Sequence, residues 1–317
     1  MGVTRLVAHE PWAGRLGPQP DFGALFDAAA TAMFCLDLEG RVLDANAAAE
    51  ALIGFGSDEL RGRLFINFLV REDIEPELIA GLAAGRVESF KLECRYLHRD
   101  GTRRYSLCAA SLVKSHERRP LYILVVVEDI TQLKIQQRFL EYQALHDSLT
   151  QLPNRLLLED RFEQAFEASQ RNGKSVGFLL LDLDRFKEIN DTHGHHVGDD
   201  VLQLVANNVR SVVRASDTVA RLGGDEFAVL QTDVPGRAAV SVMANKVLGA
   251  LAHPLSLAPG RLLQVTASIG IAIAPEDGVK LDALMRRADL AMYAAKSKGG
   301  GYAFASGEFQ PRGEHAN

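Results

Sequence analysis

Carboxylates at the ends of apolar strands are the chemically loaded feature of this 317-residue chain. Val176 to Leu181 is an apolar run, with one glycine in it, that closes on Asp182-Leu183-Asp184. Such a run predicts a central strand buried on both faces. Its two aspartates, two residues apart, share one face. A second stretch, Arg221-Leu222-Gly223-Gly224-Asp225-Glu226-Phe227-Ala228-Val229-Leu230, predicts a tight turn between two strands. Gly223 and Gly224 supply the positive φ that a two-residue hairpin needs, and Phe227–Leu230 runs on as a buried strand. Absent side chains at the tip leave backbone room for a phosphate. Alone, Gly-Gly-Asp-Glu reads as a polar turn. Beside carboxylates that end a hydrophobic strand, it reads as a divalent-metal site for phosphoryl chemistry.

With these residues in place, the chain from about His146 to Phe304 resembles the GGDEF family of diguanylate cyclases, which join two GTP molecules into cyclic di-GMP. His146-Asp147-Ser148-Leu149-Thr150-Gln151-Leu152-Pro153-Asn154-Arg155 is similar to the stretch with which the family's domain opens. The resemblance implies an α/β palm-like domain, a central sheet flanked by helices. It also implies a reaction in which the 3′-hydroxyl of one GTP attacks the α-phosphate of another and expels pyrophosphate. Catalysis of that kind is mostly positioning and charge neutralisation. Two Mg²⁺ per active site are implied, with Mn²⁺ as an alternative. Asp182 and Asp225 would be the metal carboxylates, assisted by the Leu183 carbonyl. Glu226 would be a metal ligand or the base for the 3′-hydroxyl, and Asp184 divides evenly between a structural and a functional role. The loop Arg185-Phe186-Lys187 would offer backbone amides to phosphates, with Lys187 adding a cation. Lys296 matches the family's phosphate-binding lysine. The family's arginine four residues further on is replaced here by Gly300; Lys298 is a candidate substitute, without an arginine's bidentate fork.

Base selection falls to Asn190 and Asp199. A carboxylate accepts from guanine N1–H and N2 while an amide NH₂ serves O6, and adenine reverses that pattern. Taken alone, Asn190-Asp191 and Gly198-Asp199-Asp200 are turn and cap chemistry. No ligand set completes a zinc site at His193-Gly194-His195-His196, which reads as loop packing. Arg214 and Asp217, three apart, read locally as a helix-end ion pair. At this spacing they match the family's inhibitory RxxD site, where cyclic di-GMP binds through arginine and aspartate.

The chain is long enough for two domains with cores of their own. A net charge of −6 argues against a general nucleic-acid binder, so a nucleotide must be held by local cations, metals and amides. No apolar run reaches the length of a membrane span, and three scattered cysteines suit a reducing cytoplasm. Residues 1–22 read as a flexible tail. Residues 23–131 alternate short strands and helices: strand Ala32–Asp37, strand Val42–Ala45, a helix from Ala47 to Ile53 capped by Asn46 and stopped at Gly54, then three longer strands. Asp37, Gly40, Asn46, Gly54, Gly62, the Arg99-Asp100-Gly101 turn and Asp129-Ile130-Thr131 make this region similar to a PAS sensor domain, an α+β fold whose ligand, if it has one, is unknown. Cys94 reads as core packing. Residues 132–146 read as a helical coiled-coil linker, with Ile130, Leu133, Gln137, Leu140 and Ala144 at 3-4 spacing. The catalytic domain is then 147–306 and a C-terminal tail 307–317. The expectation is a PAS-regulated cyclase acting as a homodimer, subject to product inhibition. The alternative is a cyclic di-GMP receptor using only Arg214 and Asp217.

Overall fold

The computed structural model describes residues 21–258, 261–307 and 309–311. The expected N-terminal tail up to residue 20 and the end of the C-terminal tail from 312 lie outside the described residues. The chain divides into two units, with the boundary between Arg138 and Phe139.

The first unit contains α1 (Phe22–Ala28), β1 (Ala32–Leu36), β2 (Val42–Ala45), α2 (Ala47–Ile53), α3 (Ser57–Leu60), α4 (Pro76–Ala83), β3 (Ser89–Leu97), β4 (Arg103–Lys114) and β5 (Pro120–Asp129). Its antiparallel sheet has the order β2-β1-β5-β4-β3. Asn46 is fully buried and organises the start of α2. Its Oδ1 accepts from Ala49 N and Met33 N, while Nδ2 donates to the carbonyls of Phe26, Ala29 and Thr31. Gly54 ends the helix at φ 81°, the left-handed conformation expected of a C-cap. Phe34, Phe65, Leu82, Tyr96 and Val125 belong to the core on this sheet.

Helix α5 (Thr131–Leu145) forms where the 3-4 spacing predicts it. Ile130 is buried just ahead of it, but Leu133 and Leu140 are 61% and 63% exposed, so the described residues leave these two seam positions uncovered.

The second unit contains α6 (Arg155–Asn172), β6 (Ser175–Leu183), α7 (Phe186–His193), α8 (His195–Val212), β7 (Thr218–Gly223), β8 (Glu226–Val234), α9 (Arg237–Ala252), β9 (Leu255–Ala258), β10 (Arg261–Leu263), β11 (Ala267–Ala274), α10 (Leu281–Ser297), β12 (Gly301–Phe304) and β13 (Phe309–Pro311). The main sheet runs β13-β12-β11-β6-β8-β7, with β11 and β12 parallel and the other neighbours antiparallel. Strand β6 is central and covered on both faces. Leu179, Leu181 and Leu183 join the core under α8 and α9; Val176, Phe178 and Leu180 join the core that holds Leu158 and Phe162 of α6 and Leu284 and Met292 of α10. Two-sided burial is why the run is continuously apolar.

Four local expectations change. The hairpin loop is Gly224-Asp225, because Gly223 still pairs with Glu226. Both glycines do take positive φ, 146° and 52°. The stretch after Asp184 is a helix rather than a loop: Arg185, at φ 59°, turns the chain directly into α7. His193-Gly194-His195-His196 is accordingly a helix-to-helix joint, with Gly194 at φ 85° between α7 and α8. Further on, Arg261–Leu263 pairs with β9 and only Ala267–Ala274 enters the main sheet. Beyond residue 306, Phe309–Pro311 adds an edge strand to that sheet.

Candidate active site

Asp182 is the next-to-last residue of β6, and its place in the sheet assembles the site. Its register partner on β8 is Glu226 and on β11 is Ser268. The Asp182 and Glu226 carboxylates are therefore cross-strand neighbours at one end of the sheet, beside the Gly224-Asp225 loop. Like charges so placed repel. Burial raises the Asp182 carboxyl above its ordinary range; the hydrogen bond from Lys296 works against this, and the Asp225 charge works with it. Burial likewise raises Glu226, followed by the charges of Asp182, Asp225 and Asp289. Lys296 Nζ donates to Asp182 Oδ1 at 2.5 Å, a cation contact on this pair. Leu183 N bonds weakly to Asp225 O at 3.4 Å, which ties the strand end to the hairpin loop.

Asp184 has structural partners. Its oxygens accept from Thr266 Oγ1 at 2.7 Å and Ser268 Oγ at 2.8 Å, and its N–H donates to Thr266 O. These bonds hold the end of β6 to the approach to β11. Asp184 also lines an open cleft of about 490 Å³ with Arg185, Thr266, Lys296, Gly299 and Gly300. Gly300 thus faces the cleft in which the family's arginine would supply a cation. Lys298 does not take that place: its Nζ stands 4.6 Å from the centre of the Phe309 ring.

Phe186 and Lys187 open α7 with no side-chain cap. The Phe186 side chain is buried in the core, so only its backbone could meet a phosphate, while Lys187 is exposed. Helices α7 and α8 bring Asn190 beside Gly198. A Cβ at Gly198 would fall 1.9 Å from Asn190 Oδ1, so glycine is what permits this approach. Asp199, the next residue of α8, is exposed.

Arg214 and Asp217 do not form the ion pair that their spacing suggests locally. Asp217 N donates to Arg214 O, and Asp217 Oδ1 accepts from Thr232 N at 3.0 Å. Asp217 Oδ2 is buried without a protein partner. Both residues line an open cavity of about 800 Å³ that also receives His146, Arg161 and Arg210. The pair sits at the start of β7 and the hairpin at its end, about 20 Å apart along a six-residue strand. Arg161 and Arg210 were not singled out in the sequence; on helices, an exposed arginine has no local signature.

Arg221 is the other residue that the motif reading passed over. Its Nε and Nη2 donate to Gly224 O at 3.1 and 2.7 Å, and Nη1 reaches Asp147 Oδ1 at 2.9 Å. The hairpin carbonyl is thereby held to the segment that opens the domain. Burial works to raise the Asp147 carboxyl, but the bonds from Thr150 and Arg221 outweigh it and hold the group below its ordinary range.

Among the described residues, no three or more His, Cys, Asp or Glu side chains gather closely enough to hold a metal ion. The donor chemistry nevertheless fits Mg²⁺. Asp182 and Glu226 are hard oxygen donors held side by side against their own repulsion.

The family model described as "Diguanylate cyclase, GGDEF domain" matches residues 144–301, and a PAS fold model matches residues 21–130. The chain belongs to the PAS–GGDEF diguanylate cyclase family. It is 46% identical over 175 residues to the bifunctional diguanylate cyclase/cyclic di-GMP phosphodiesterase MucR of Pseudomonas aeruginosa, covering 55% of this chain and 25% of that protein. Diguanylate cyclase TpbB of the same species is 41% identical over 170 residues, 54% of this chain and 39% of TpbB. The chain therefore spans well under half the length of these curated relatives. The crystal structure of the TpbB GGDEF domain aligns at 39% identity and a TM-score of 0.48, covering 51% of this chain and 99% of that one. No helix among the described residues is long and apolar enough to cross a membrane.

Proposed function

We propose that this PAS–GGDEF chain is a diguanylate cyclase that condenses two GTP into cyclic di-GMP and two pyrophosphates. The observation that carries this reading is the cross-strand pairing of Asp182 with Glu226 at the glycine hairpin, with Lys296 on Asp182. Asp182, Asp225, Glu226 and the Leu183 carbonyl would hold Mg²⁺, or Mn²⁺ in its place. Bound there, the metal supplies positive charge to the triphosphate and to the attacking oxygen. Glu226, its carboxyl raised by burial and by its acidic neighbours, is suited to take the proton of the 3′-hydroxyl. Lys296 and Lys187 neutralise phosphates, and the backbone at Phe186 offers its amide. Asn190 and Asp199 read guanine. Each site holds one GTP, so two copies of the domain must face each other, and the exposed Leu133 and Leu140 on α5 are apolar surface for such a pair. Cyclic di-GMP binds at Arg214 and Asp217 and inhibits; support comes from the unpartnered Asp217 Oδ2 beside a cavity rich in arginine.

Incubation of the purified chain with Mg²⁺ and GTP, followed by chromatography of the nucleotides, tests the proposal. Wild type should yield cyclic di-GMP and Glu226→Ala far less. Tight cyclic di-GMP binding without any product from wild type would instead make the chain a receptor acting through Arg214 and Asp217.

A further inference from the structure

Strands β3 and β4 carry a pair of thiols to which the proposed cyclase chemistry assigns no task. Cys94 and Cys108 are 3% and 4% exposed, and their Sγ atoms lie 3.3 Å apart. The register pairs Cys94 with Ser106 and Leu92 with Cys108, so the cysteines are diagonal neighbours on one face of the sheet. Ser106 Oγ donates to Cys94 O and stands 3.5 Å and 3.6 Å from the two sulfurs. Buried thiols are ordinarily inert packing. Here, however, Cys108 lines an apolar cavity of about 70 Å³, together with Leu36, Phe65, Leu92, Ile123 and Val125. Water takes up roughly 30 Å³ in the liquid, so the cavity admits a molecule the size of hydrogen peroxide and rejects a bulky organic hydroperoxide.

We propose that Cys94 and Cys108 are a peroxide-reactive dithiol that closes to a disulfide between β3 and β4, with this cavity opening on the Cys108 side of the pair. The hydrogen bond from Cys108 lowers the Cys94 thiol against the opposing effect of burial, and the thiolate is the reactive form. In the first step the Cys94 thiolate attacks one peroxide oxygen. The O–O bond breaks, hydroxide leaves, and Cys94 becomes a sulfenic acid. In the second, the Cys108 sulfur attacks the Cys94 sulfur and the S–O bond breaks; the departing hydroxide takes the Cys108 proton, and the hydroxide of the first step takes the proton that Cys94 gave up on ionising, so both leave as water. In sum, two thiols and one hydrogen peroxide give one disulfide and two waters. The thiols lose two electrons and the peroxide gains them. Closing the sulfurs from 3.3 Å to about 2.05 Å draws β3 towards β4.

Cys35 supplies the internal control, because it is more exposed than either partner while burial and Asp44 raise its thiol. The reduced full chain is treated with a few-fold excess of hydrogen peroxide, quenched by alkylation under denaturing conditions, and mapped by mass spectrometry. The expected result is loss of two of the three thiols as one intrachain Cys94–Cys108 link, reversed by dithiothreitol, with Cys35 still alkylated. Cumene hydroperoxide should react at least tenfold more slowly than hydrogen peroxide when each rate is normalised to that with the urea-unfolded chain. Free Cys94 and Cys108 after treatment, earlier oxidation of Cys35, or equal normalised rates for the two peroxides would each overturn the proposal.

Discussion

At the scale of single residues, the site is built on charge repulsion held in register. Glu226 sits where backbone pairing forces it against Asp182, and a chemical role for its side chain is what the proposed function requires. Glu226→Ala should cut cyclic di-GMP formation by on the order of 10²–10³-fold or more, the scale of losing one preorganised charged group, with little change in melting temperature. Gly198 makes a different point, because nothing about it is reactive. A methyl group there would meet Asn190 Oδ1 at 1.9 Å and push the amide away from the base it is proposed to read. Gly198→Ala should raise KM for GTP about tenfold, equivalent to about 1.4 kcal/mol, and narrow the preference for GTP over ATP. Unchanged kinetics with both nucleotides would remove Asn190 from base recognition.

At the scale of elements, two contacts decide whether the frames hold. Asn46 satisfies two backbone donors and three carbonyls from a fully buried position. Asn46→Ala leaves those groups unpaired, and each buried group so orphaned costs about 1–3 kcal/mol unless water replaces the partner. The urea midpoint of the PAS unit should fall by an amount worth about 2–3 kcal/mol, well below the full sum because α1 can relax and water can reach the freed groups. In the second unit, α10 lies directly on β11: a Cβ at Gly270 would stand 1.8 Å from Ala288 O and 2.6 Å from Met292 N. Both obstacles are helix backbone and cannot rotate aside. Gly270→Ala should destabilise the GGDEF unit by about 3 kcal/mol or more, read as a lower melting temperature in protein that still binds GTP when cold.

At the scale of the whole molecule, acid stability is a sum over both units. Asp73 is held below its ordinary value of 3.8 chiefly by hydrogen bonds from the Arg95 side chain, at 2.8 and 2.7 Å. Asp129 is also lowered; burial raises it, and bonds from Thr131 and Tyr96 outweigh that. Asp147 behaves similarly. A carboxyl with a depressed folded-state pKa contributes stability that is present above its unfolded pKa and is lost as pH falls through the folded value. Asp182 and Glu226 have the opposite sign, since raised carboxyls favour folding once protonated. Circular dichroism from pH 7 to pH 3 should show little loss above about pH 4 and a steep fall below it. Asp73→Asn should flatten the acid limb and lower stability at pH 7. The proposed pairing of half-sites predicts a further molecular property: specific activity should rise with protein concentration as dimer content rises, and a flat dependence across a range in which the dimer fraction increases would count against it.

The sequence by itself determined the strand that ends in Asp182, the helix that Asn46 starts and Gly54 stops, and the family of both units. Each of these rests on neighbours in the chain: apolar period, cap chemistry, a turn tetrapeptide. Where reading the sequence failed, the deciding contact lay far along it. The hairpin loop moved to Gly224-Asp225 because Gly223 pairs with Glu226 across the strands. Helix α7 escaped notice because Arg185 enters it through a left-handed turn with no capping side chain. The structural partners of Asp184, Thr266 and Ser268, lie more than eighty residues away, and Arg221 gained its task only when Asp147 came within reach. Lys298 was drawn from the cleft by Phe309. Local propensity selects elements, but a side chain's partner is chosen by register and packing, and those exist only after the sheet has assembled.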